Sequence, residues 1–177
     1  MLRNDNGYSL YELLMTLTLV GVLVTVSLPS FSVTLAKSRQ TTEINALFHA
    51  IHLARKESIR RRQVMTVCAS ADGRSCQRSG DWSTGWILFN NADQDSPPEV
   101  DPGESVLLAH AIGETIGVVG NRRAFTLRAT FRRATNGTLI FCDRQNRVAP
   151  KALIISYTGR PRVASSRTDG TPYSCSG

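Results

Sequence analysis

The chain has 177 residues and a formal net charge of +7, with 21 lysines and arginines against 14 aspartates and glutamates. This length is enough for one globular domain beside an anchor and too short for two comfortable domains. The positive charge favours an anionic partner, such as nucleic acid, anionic lipid or an acidic protein, without choosing among them. No Walker loop, nucleophile elbow or paired-carboxylate pattern occurs, so we expect no enzyme activity, no catalytic residue and no cofactor.

An apolar segment without charged side chains, residues 13–36, dominates the N-terminal part of the chain. A helix rises about 1.5 Å per residue and needs roughly 20 residues to cross a bilayer core, so this segment is long enough to span a membrane. Glu12 lies at its N-terminal edge, where a carboxylate is costly to bury unless it is paired. A cleaved secretory signal carries its small-residue cleavage site after the apolar core. Here Gly7 precedes the core, so cleavage at that glycine would keep the membrane helix.

The apolar pattern becomes amphipathic after Pro29. The apolar positions that follow three–four spacing are Ile44, Leu47, Phe48, Ile51 and Ile59. This spacing predicts one long helix, membrane-embedded first and then packed on a globular domain. We expect the helix to end near residues 60–62, where three arginines suit the negative end of the helix dipole. Phosphate binding is the alternative interpretation of that arginine run.

Strand signals follow the helix. Short apolar or β-branched runs lie at residues 64–70, 85–89, 106–111, 125–131, 138–142 and 152–158. Asp72-Gly73 and Asn136-Gly137 predict turns, and residues 90–103 predict a loop. In residues 125–131, the alternation puts Phe125 and Phe131 on one face and Arg128 on the other. The sequence therefore predicts an α+β fold, with a long N-terminal helix and a C-terminal antiparallel β domain.

The four cysteines are Cys68, Cys76, Cys142 and Cys175. An even count behind an export signal favours two disulfides, and zinc binding competes poorly because no C-x-x-C pattern occurs. A three-residue hairpin loop with Gly73 left-handed would set Cys68 opposite Cys76. Cys142 and Cys175 would then tie the C-terminal tail to a core strand. Other connectivities stay open at this stage.

Two further sets of residues are weighed as metal or catalytic groups. The acidic loop offers Asp93, Asp95, Glu99, Asp101 and Glu104, and the histidines are His49, His52 and His110. Calcium favours such carboxylates, but the EF-hand spacing is absent, so a solvated loop is the preferred interpretation. The histidines have no cysteine or aspartate at catalytic spacing. We expect no metal site.

The order of a polar leader, a glycine, a glutamate and an apolar core resembles the class III signal of type IV pilins and pseudopilins. In that family a prepilin peptidase cuts after the glycine and methylates the new N-terminus. The resemblance implies a leader at residues 1–7, with Gly7 at the cleavage site and Tyr8 as the first mature residue. It also implies that Glu12 pairs with the N-terminus of a neighbouring subunit during assembly.

The same resemblance implies the type IV pilin fold and a division of the chain. Residues 8–36 would form the transmembrane and assembly helix, and residues 37–177 the periplasmic or extracellular globular domain. The protein would first lie in the inner membrane as a single-pass protein with a periplasmic domain, and then in an extracellular pilus. Its partners would include major and minor pilins.

The later motifs narrow the resemblance to minor pilins of the GspH/FimT type. These motifs are Trp82-x-x-Gly85-Trp86, Cys142-Asp143, and Thr158-Gly159-Arg160-x-Arg162 with the late Cys175. In FimT-like proteins a GRxR motif at this place is associated with DNA binding in natural transformation. Gly159, Arg160 and Arg162 match that motif residue by residue.

The basic C-terminal segment is the main candidate site. Pro161 prevents a helix and extends the backbone between Arg160 and Arg162. The other cations nearby in the sequence are Arg144, Arg147, Lys151 and Arg167. A disulfide from Cys142 to Cys175 would constrain the segment and lower the ordering cost when a polyanion binds.

We therefore expect this segment to bind DNA without sequence specificity, by neutralising phosphates during natural transformation. Two alternatives remain. The arginines could contact neighbouring subunits in a structural minor pilin that primes pilus assembly, or the protein could be the GspH-type pseudopilin of a type II secretion machine.

Overall fold

The computed structural model describes residues 9–129 and 133–175, apart from the side chains of residues 26–30. A single helix, α1, spans Leu10–Arg61. Within the described residues, the strands that follow are β1 Met65–Ala69, β2 Gly85–Asn90, β3 Val106–Ala111, β4 Ile116–Gly120, β5 Ala124–Leu127, β6 Gly137–Asp143, β7 Lys151–Ile155 and β8 Pro161–Ala164.

Both ends of α1 are capped by polar groups. Ser9 precedes the first turn, and its hydroxyl accepts a hydrogen bond from the Glu12 backbone N–H at 3.3 Å. Arg62 closes the helix in the left-handed conformation, with φ of 56°. Arg60 and Arg61 donate to the Glu57 carboxylate, and these hydrogen bonds lower the pKa of Glu57 to about 2. The predicted helix end is confirmed.

The first part of α1 is largely exposed in this single chain. Its large apolar side chains between Leu10 and Val24 are about half or more exposed. Among the described residues, no helix combines the length and the hydropathy needed to span a membrane. The predicted span at residues 8–36 stays a prediction, and Gly7 and Tyr8 lie outside the described residues.

Two antiparallel sheets of four strands each pack beside the second half of α1. The strand order is β3-β2-β1-β5 in sheet A and β4-β6-β7-β8 in sheet B. In each sheet, the inner face is the one that shares the main core with the helix. The largest buried side chains of that core are Trp82, Trp86, Phe125, Phe141, Leu47 and Ile51. The predicted α+β class, with a long helix packed on antiparallel sheets, is confirmed.

The buried face of α1 follows the predicted spacing with one exception. Ile44, Leu47 and Ile51 are at most 2% exposed. Ile59 was also expected on this face, and that prediction is wrong because its side chain is 56% exposed. At about 100° per residue, Ser58 rather than Ile59 continues the buried face. The Ser58 hydroxyl is accordingly buried, and it donates to the Arg55 carbonyl at 2.8 Å.

Polar contacts fix α1 against both sheets. Buried Gln40 donates from its side-chain amide to the carbonyls of Phe141 and Ala149, each at 3.0 Å. On the sheet A side, Glu43 contacts the His110 ring nitrogen at 2.7 Å, and that ring stacks on Trp86. The helix is therefore held in register by directional contacts as well as by apolar burial.

The predicted strands occur at the expected places, but two are shorter and two were not predicted. The run expected at 125–131 ends at Leu127, with Phe131 outside the described residues, and the run expected at 152–158 ends at Ile155. The strands without a prediction are β4 and β8. Glycines at positions 117 and 120 weaken the pattern of β4, and Pro161 opens β8. Proline is tolerated there because β8 is the edge strand of sheet B.

We predict that Gly85→Ala destabilises the domain. Gly85 has φ of +149°, and a Cβ at this position would lie 2.4 Å from the carbonyl oxygen of His110 on the paired strand. Because that contact is with backbone, β2 and β3 would have to separate. We expect the free energy of unfolding to fall by about 2–4 kcal/mol, measured by urea unfolding.

Gly113→Ala is the matched control, because nothing lies within 4 Å of a Cβ added there. We expect its stability to stay within about 0.5 kcal/mol of the wild type. Equal stability of both variants would contradict the close approach of β2 and β3 at Gly85.

Candidate nucleic-acid interface

The two predicted disulfides are present. Cys68 pairs with Cys76 and Cys142 pairs with Cys175, at Cα separations of 5.6 and 5.9 Å. Every cysteine is therefore oxidised, and the competing zinc interpretation is wrong.

The smaller disulfide closes a loop rather than a hairpin. Gly73 is left-handed as expected, with φ of 68°. The Asp72 carboxylate accepts from the backbone N–H groups of Arg74 and Ser75 at 2.8 Å, and these bonds lower its pKa. However, both neighbours of β1 in sheet A are distant strands, β2 and β5. The expectation of a local hairpin was wrong, because long-range pairing occupies both edges of β1.

The larger disulfide holds the C-terminal tail against the outer face of sheet B, the face turned away from α1. Cys142 belongs to β6. Leu139 and Phe141 on the same strand project into the core, so by alternation the Cys142 side chain projects toward the outer face. From there the bond reaches Cys175, 33 residues later. Tyr173, two residues before it, is only 9% exposed. The tail is thus a packed part of the domain.

Arg160 and Arg162 lie on this outer face. In β7, Leu153 and Ile155 belong to the core, so Ile154 between them projects outward. Arg162 is the register partner of Ile154, and directly paired residues share a face. The next pair outward joins Ser156 and Arg160, whose backbone groups are hydrogen-bonded at 3.1 Å. Two residues apart in an extended chain, both arginines therefore project to the same side.

A groove of about 540 Å³ lies beside these arginines, between the outer face and the tail. Arg162 and Arg167 line it together with Tyr173. The Arg167 guanidinium carbon lies 5.9 Å from the centroid of the Tyr173 ring, within the range of a cation–π contact. The groove therefore presents positive charge beside an aromatic ring.

The positive charge of this groove is only weakly offset within the described chain. Among the described residues, no carboxylate forms an ion pair with Arg160, Arg162 or Arg167. The nearby Asp169 carboxylate accepts from the Thr171 hydroxyl and backbone N–H, and these hydrogen bonds, with a smaller contribution from the charge of Arg167, lower its pKa. The arginine side chains are therefore available to an external anion.

The remaining predicted cations are not gathered at this groove. Arg144 follows the end of β6, and Lys151 begins β7, at the end of that strand remote from Ile154 and Arg162. By alternation, Lys151 shares the inner side of β7 with Leu153. The fold therefore separates Arg144 and Lys151 from the GRxR arginines.

Arg147 is occupied by a buried carboxylate. Its guanidinium donates two hydrogen bonds to Asp143, at 2.6 and 2.9 Å, and its backbone N–H donates a third. The Asp143 side chain has no exposed surface. The Arg147 hydrogen bonds lower the pKa of Asp143, so the carboxylate stays ionised inside the fold. This pair orders the turn that follows β6.

Gly159 is required by the turn between β7 and β8. Its φ is +69°, and a Cβ there would lie 3.0 Å from a Leu127 methyl carbon. The Gly159 N–H donates to the Ser156 carbonyl at 2.8 Å, which closes the turn directly before Arg160. The glycine of the GRxR motif thus sets the direction in which the arginines leave the turn.

The acidic loop and the histidines lie apart from this face. Carboxylate oxygens of Asp93, Asp95 and Asp101 lie within 4.8 Å of one another on a largely exposed loop. Burial and the neighbouring carboxylates, led by Asp93, raise the pKa of Asp101. The rings of His49 and His52 pack against Phe48 on α1.

Comparison with known proteins decides the family. The model of a protein family described as "Type II transport protein GspH" matches residues 43–159. The chain belongs to the GspH family. No curated protein matches its sequence.

Solved structures of a minor pilin and a minor pseudopilin share the fold of this GspH-family chain, which confirms the predicted pilin-like arrangement. The type IV minor pilin FimU of Pseudomonas aeruginosa is 22% identical in one crystal form, with a TM-score of 0.50 over 78% of this chain and 98% of FimU. A second crystal form gives 19% identity and a TM-score of 0.53. The minor pseudopilin EpsH of the Vibrio cholerae type 2 secretion system is 11% identical, with a TM-score of 0.52 over 71% of this chain and 96% of EpsH.

We predict that Arg147→Met destabilises this GspH-family domain in a pH-dependent way. The variant keeps the side-chain stem but leaves the buried Asp143 carboxylate without its guanidinium. We expect the free energy of unfolding at pH 7 to fall by about 1–3 kcal/mol. Asp143 has a lowered pKa, so its stabilising effect is present at neutral pH and disappears as the pH falls through that pKa. The difference between wild type and variant should therefore shrink below about pH 4.

Urea unfolding at pH 7 and pH 3 tests this expectation, with Arg144→Met as the control. Arg144 is exposed and forms no ion pair with a described carboxylate, so its replacement should change stability by less than about 0.5 kcal/mol. A pH-independent loss in Arg147→Met would show that packing of the stem, rather than the ion pair, is what the variant removes.

Proposed function

We propose that this protein is a minor pilin that binds extracellular DNA without sequence specificity, in the uptake step of natural transformation. The observation that carries the proposal is the common face of Arg160 and Arg162. Both project from the outer face of sheet B, and neither is paired with a described carboxylate. An array of unpaired arginines in extended spacing suits a backbone of regularly spaced phosphates.

The chemistry of binding is neutralisation of phosphate charge. A guanidinium matches two phosphate oxygens with parallel N–H donors, which a lysine ammonium cannot do. Each phosphate contact releases about 0.9 counterion from duplex DNA, so affinity should fall steeply with salt. Arg167 and Tyr173 extend the surface along the groove, where the ring offers an apolar contact to the sugar or base.

The other predicted cations take different parts in this proposal. Gly159 shapes the turn, and Arg144 and Lys151 add long-range attraction from the far end of sheet B. Arg147 contributes structure through Asp143 rather than a free guanidinium. The DNA contact is therefore assigned to Arg160, Arg162 and Arg167.

The proposal includes the route of a type IV pilin. A prepilin peptidase would remove residues 1–7 after Gly7, leaving Tyr8 as the methylated N-terminus. The apolar half of α1 would hold the protein in the inner membrane, with the domain in the periplasm, until it joins major and minor pilins in the pilus. Glu12 lies in the exposed first turn of α1, where it could pair with the N-terminus of a neighbouring subunit.

A structural role in assembly is the second candidate, and the match to the GspH family model favours it. In that case the protein would prime or extend a pilus or a secretion pseudopilus, and the arginines would contact the next subunit. Charge-neutral replacement of Arg160 and Arg162 would then abolish assembly. Under the DNA-binding proposal, the same replacement spares assembly.

We predict that Arg160→Gln with Arg162→Gln weakens DNA binding by the full-length protein in neutral detergent. Loss of two phosphate contacts should lower the slope of log affinity against log salt by about two. We expect at least about a tenfold loss of affinity, equivalent to about 1.4 kcal/mol. Fluorescence anisotropy with a labelled duplex across a salt series measures both quantities.

The control is Arg74→Gln with Arg78→Gln, which removes the same charge from exposed positions on another loop. It should keep most of the affinity. Equal losses in the two double variants would mean that net charge, and not the outer face of sheet B, determines binding. No wild-type binding at low salt would favour the structural role.

A further inference from the structure

A second cationic cavity lies on the other side of the β7–β8 turn. This cavity, called here the turn pocket, has a volume of about 320 Å³ and is formed where the end of α1, the end of β5 and the turn meet. Arg55, Arg128 and Arg133 line it, together with Tyr157 and Gly159. These residues come from three separate parts of the chain, so only the fold brings them together.

The turn pocket carries positive charge without compensation. Among its described lining residues none is acidic, and no described carboxylate forms an ion pair with its three arginines. Glu57 is the acidic residue nearest to Arg55 in sequence, and it is already bound by Arg60 and Arg61. Three guanidinium groups around one cavity repel one another unless an anion joins them.

The individual arginines are held in different ways. Arg55 donates to the Thr158 backbone carbonyl in the turn, which fixes the helix against β7 and β8. The guanidinium carbon of Arg133 lies 5.4 Å from the centroid of the Tyr157 ring, and that ring is 55% exposed. Stacking on the ring directs Arg133 without using its N–H donors, which remain free for an oxyanion.

Arg128 supplies a second, independent observation that points to a ligand. Its Nε–H is buried, and no described residue accepts a hydrogen bond from it. A buried donor without an acceptor is unfavourable by roughly 1–3 kcal/mol, and such groups are rare in folded proteins. A small rotation of the guanidinium toward an anion in the pocket would give this N–H its partner.

We propose that the turn pocket binds a phosphate group, and that DNA held by Arg160 and Arg162 supplies that group. A phosphate offers several strong acceptor oxygens, which suits a cavity lined by the donors of Arg55, Arg128 and Arg133. The part of this proposal that makes DNA the source of the phosphate rests on the proposed function. Gly159 lines the pocket and Arg160 follows it directly, so one DNA molecule that curves around the β7–β8 turn contacts both sites.

The test uses the full-length protein in neutral detergent, with two probes and two variants. Inorganic pyrophosphate probes the pocket by isothermal titration calorimetry, and the labelled duplex probes DNA binding by anisotropy. Arg128→Gln with Arg133→Gln alters the turn pocket, and Arg160→Gln with Arg162→Gln alters the outer face. The Arg74→Gln, Arg78→Gln variant controls for the change in net charge.

We expect wild type to bind pyrophosphate, and Arg128→Gln with Arg133→Gln to weaken that binding by at least about tenfold. The outer-face variant and the charge control should keep it. Duplex affinity should fall in both the pocket variant and the outer-face variant. If Arg128→Gln impairs folding, the exposed Arg133→Gln alone decides the outcome and should weaken pyrophosphate binding at least about threefold.

The outcomes separate this proposal from the proposed function. Absence of pyrophosphate binding by wild type, or equal binding by wild type and a folded pocket variant, would overturn the turn pocket as a phosphate site even if DNA still binds. Pyrophosphate binding that the pocket variant loses, with no duplex binding by wild type, would support the pocket and overturn DNA as its source. Duplex binding that only the outer-face variant loses would also overturn DNA as the source.

Discussion

The structure depends on one helix face that serves two sheets at once. The face of α1 around Leu47 and Ile51 packs into a core to which sheets A and B both contribute, through Trp86 and Phe141 respectively. Gln40 fixes the position of the helix along sheet B through two backbone carbonyls, and Glu43 fixes it on sheet A through His110. Because the sheets meet over this helix, the β5 end and the β7–β8 turn come to lie beside its last turns.

The outer face of sheet B follows from the same arrangement. The helix covers the inner face, so residues that alternate with the core, such as Ile154 and Arg162, project to the opposite side. The Cys142–Cys175 bond brings the tail, including Tyr173, across part of that outer face. The remainder is a groove bordered by cations. The disulfide limits the freedom of the tail before binding, so less conformational entropy is lost when an anion is held there.

The sequence predicted the helix, most strands and the Cys68–Cys76 disulfide because these leave local signals, and Cys142–Cys175 was the pair that remained. Three–four spacing, β-branched runs and Asp72-Gly73 each act over a few residues. The features that the sequence did not predict depend instead on contacts between distant parts of the chain. Edge strand β8 begins with Pro161, a residue that argues against a strand unless the edge position is known. The division into two sheets and the partners of β1 depend on long-range pairing. The GRxR arginines were found through a resemblance, whereas no spacing pattern associates Arg55 on α1 with Arg128 and Arg133 beyond β5.

Hydrogen–deuterium exchange of the full-length protein, with and without duplex DNA, tests most directly whether the surface around the β7–β8 turn binds DNA. The account predicts increased protection on both sides of that turn, in the backbone of residues 156–168 and in residues 127–129 and 133–135. The acidic loop at residues 91–104, whose carboxylates repel a polyanion, should exchange at the same rate in both samples. Protection confined to the first half of α1, or its absence around the turn under conditions where DNA is bound, would contradict the account.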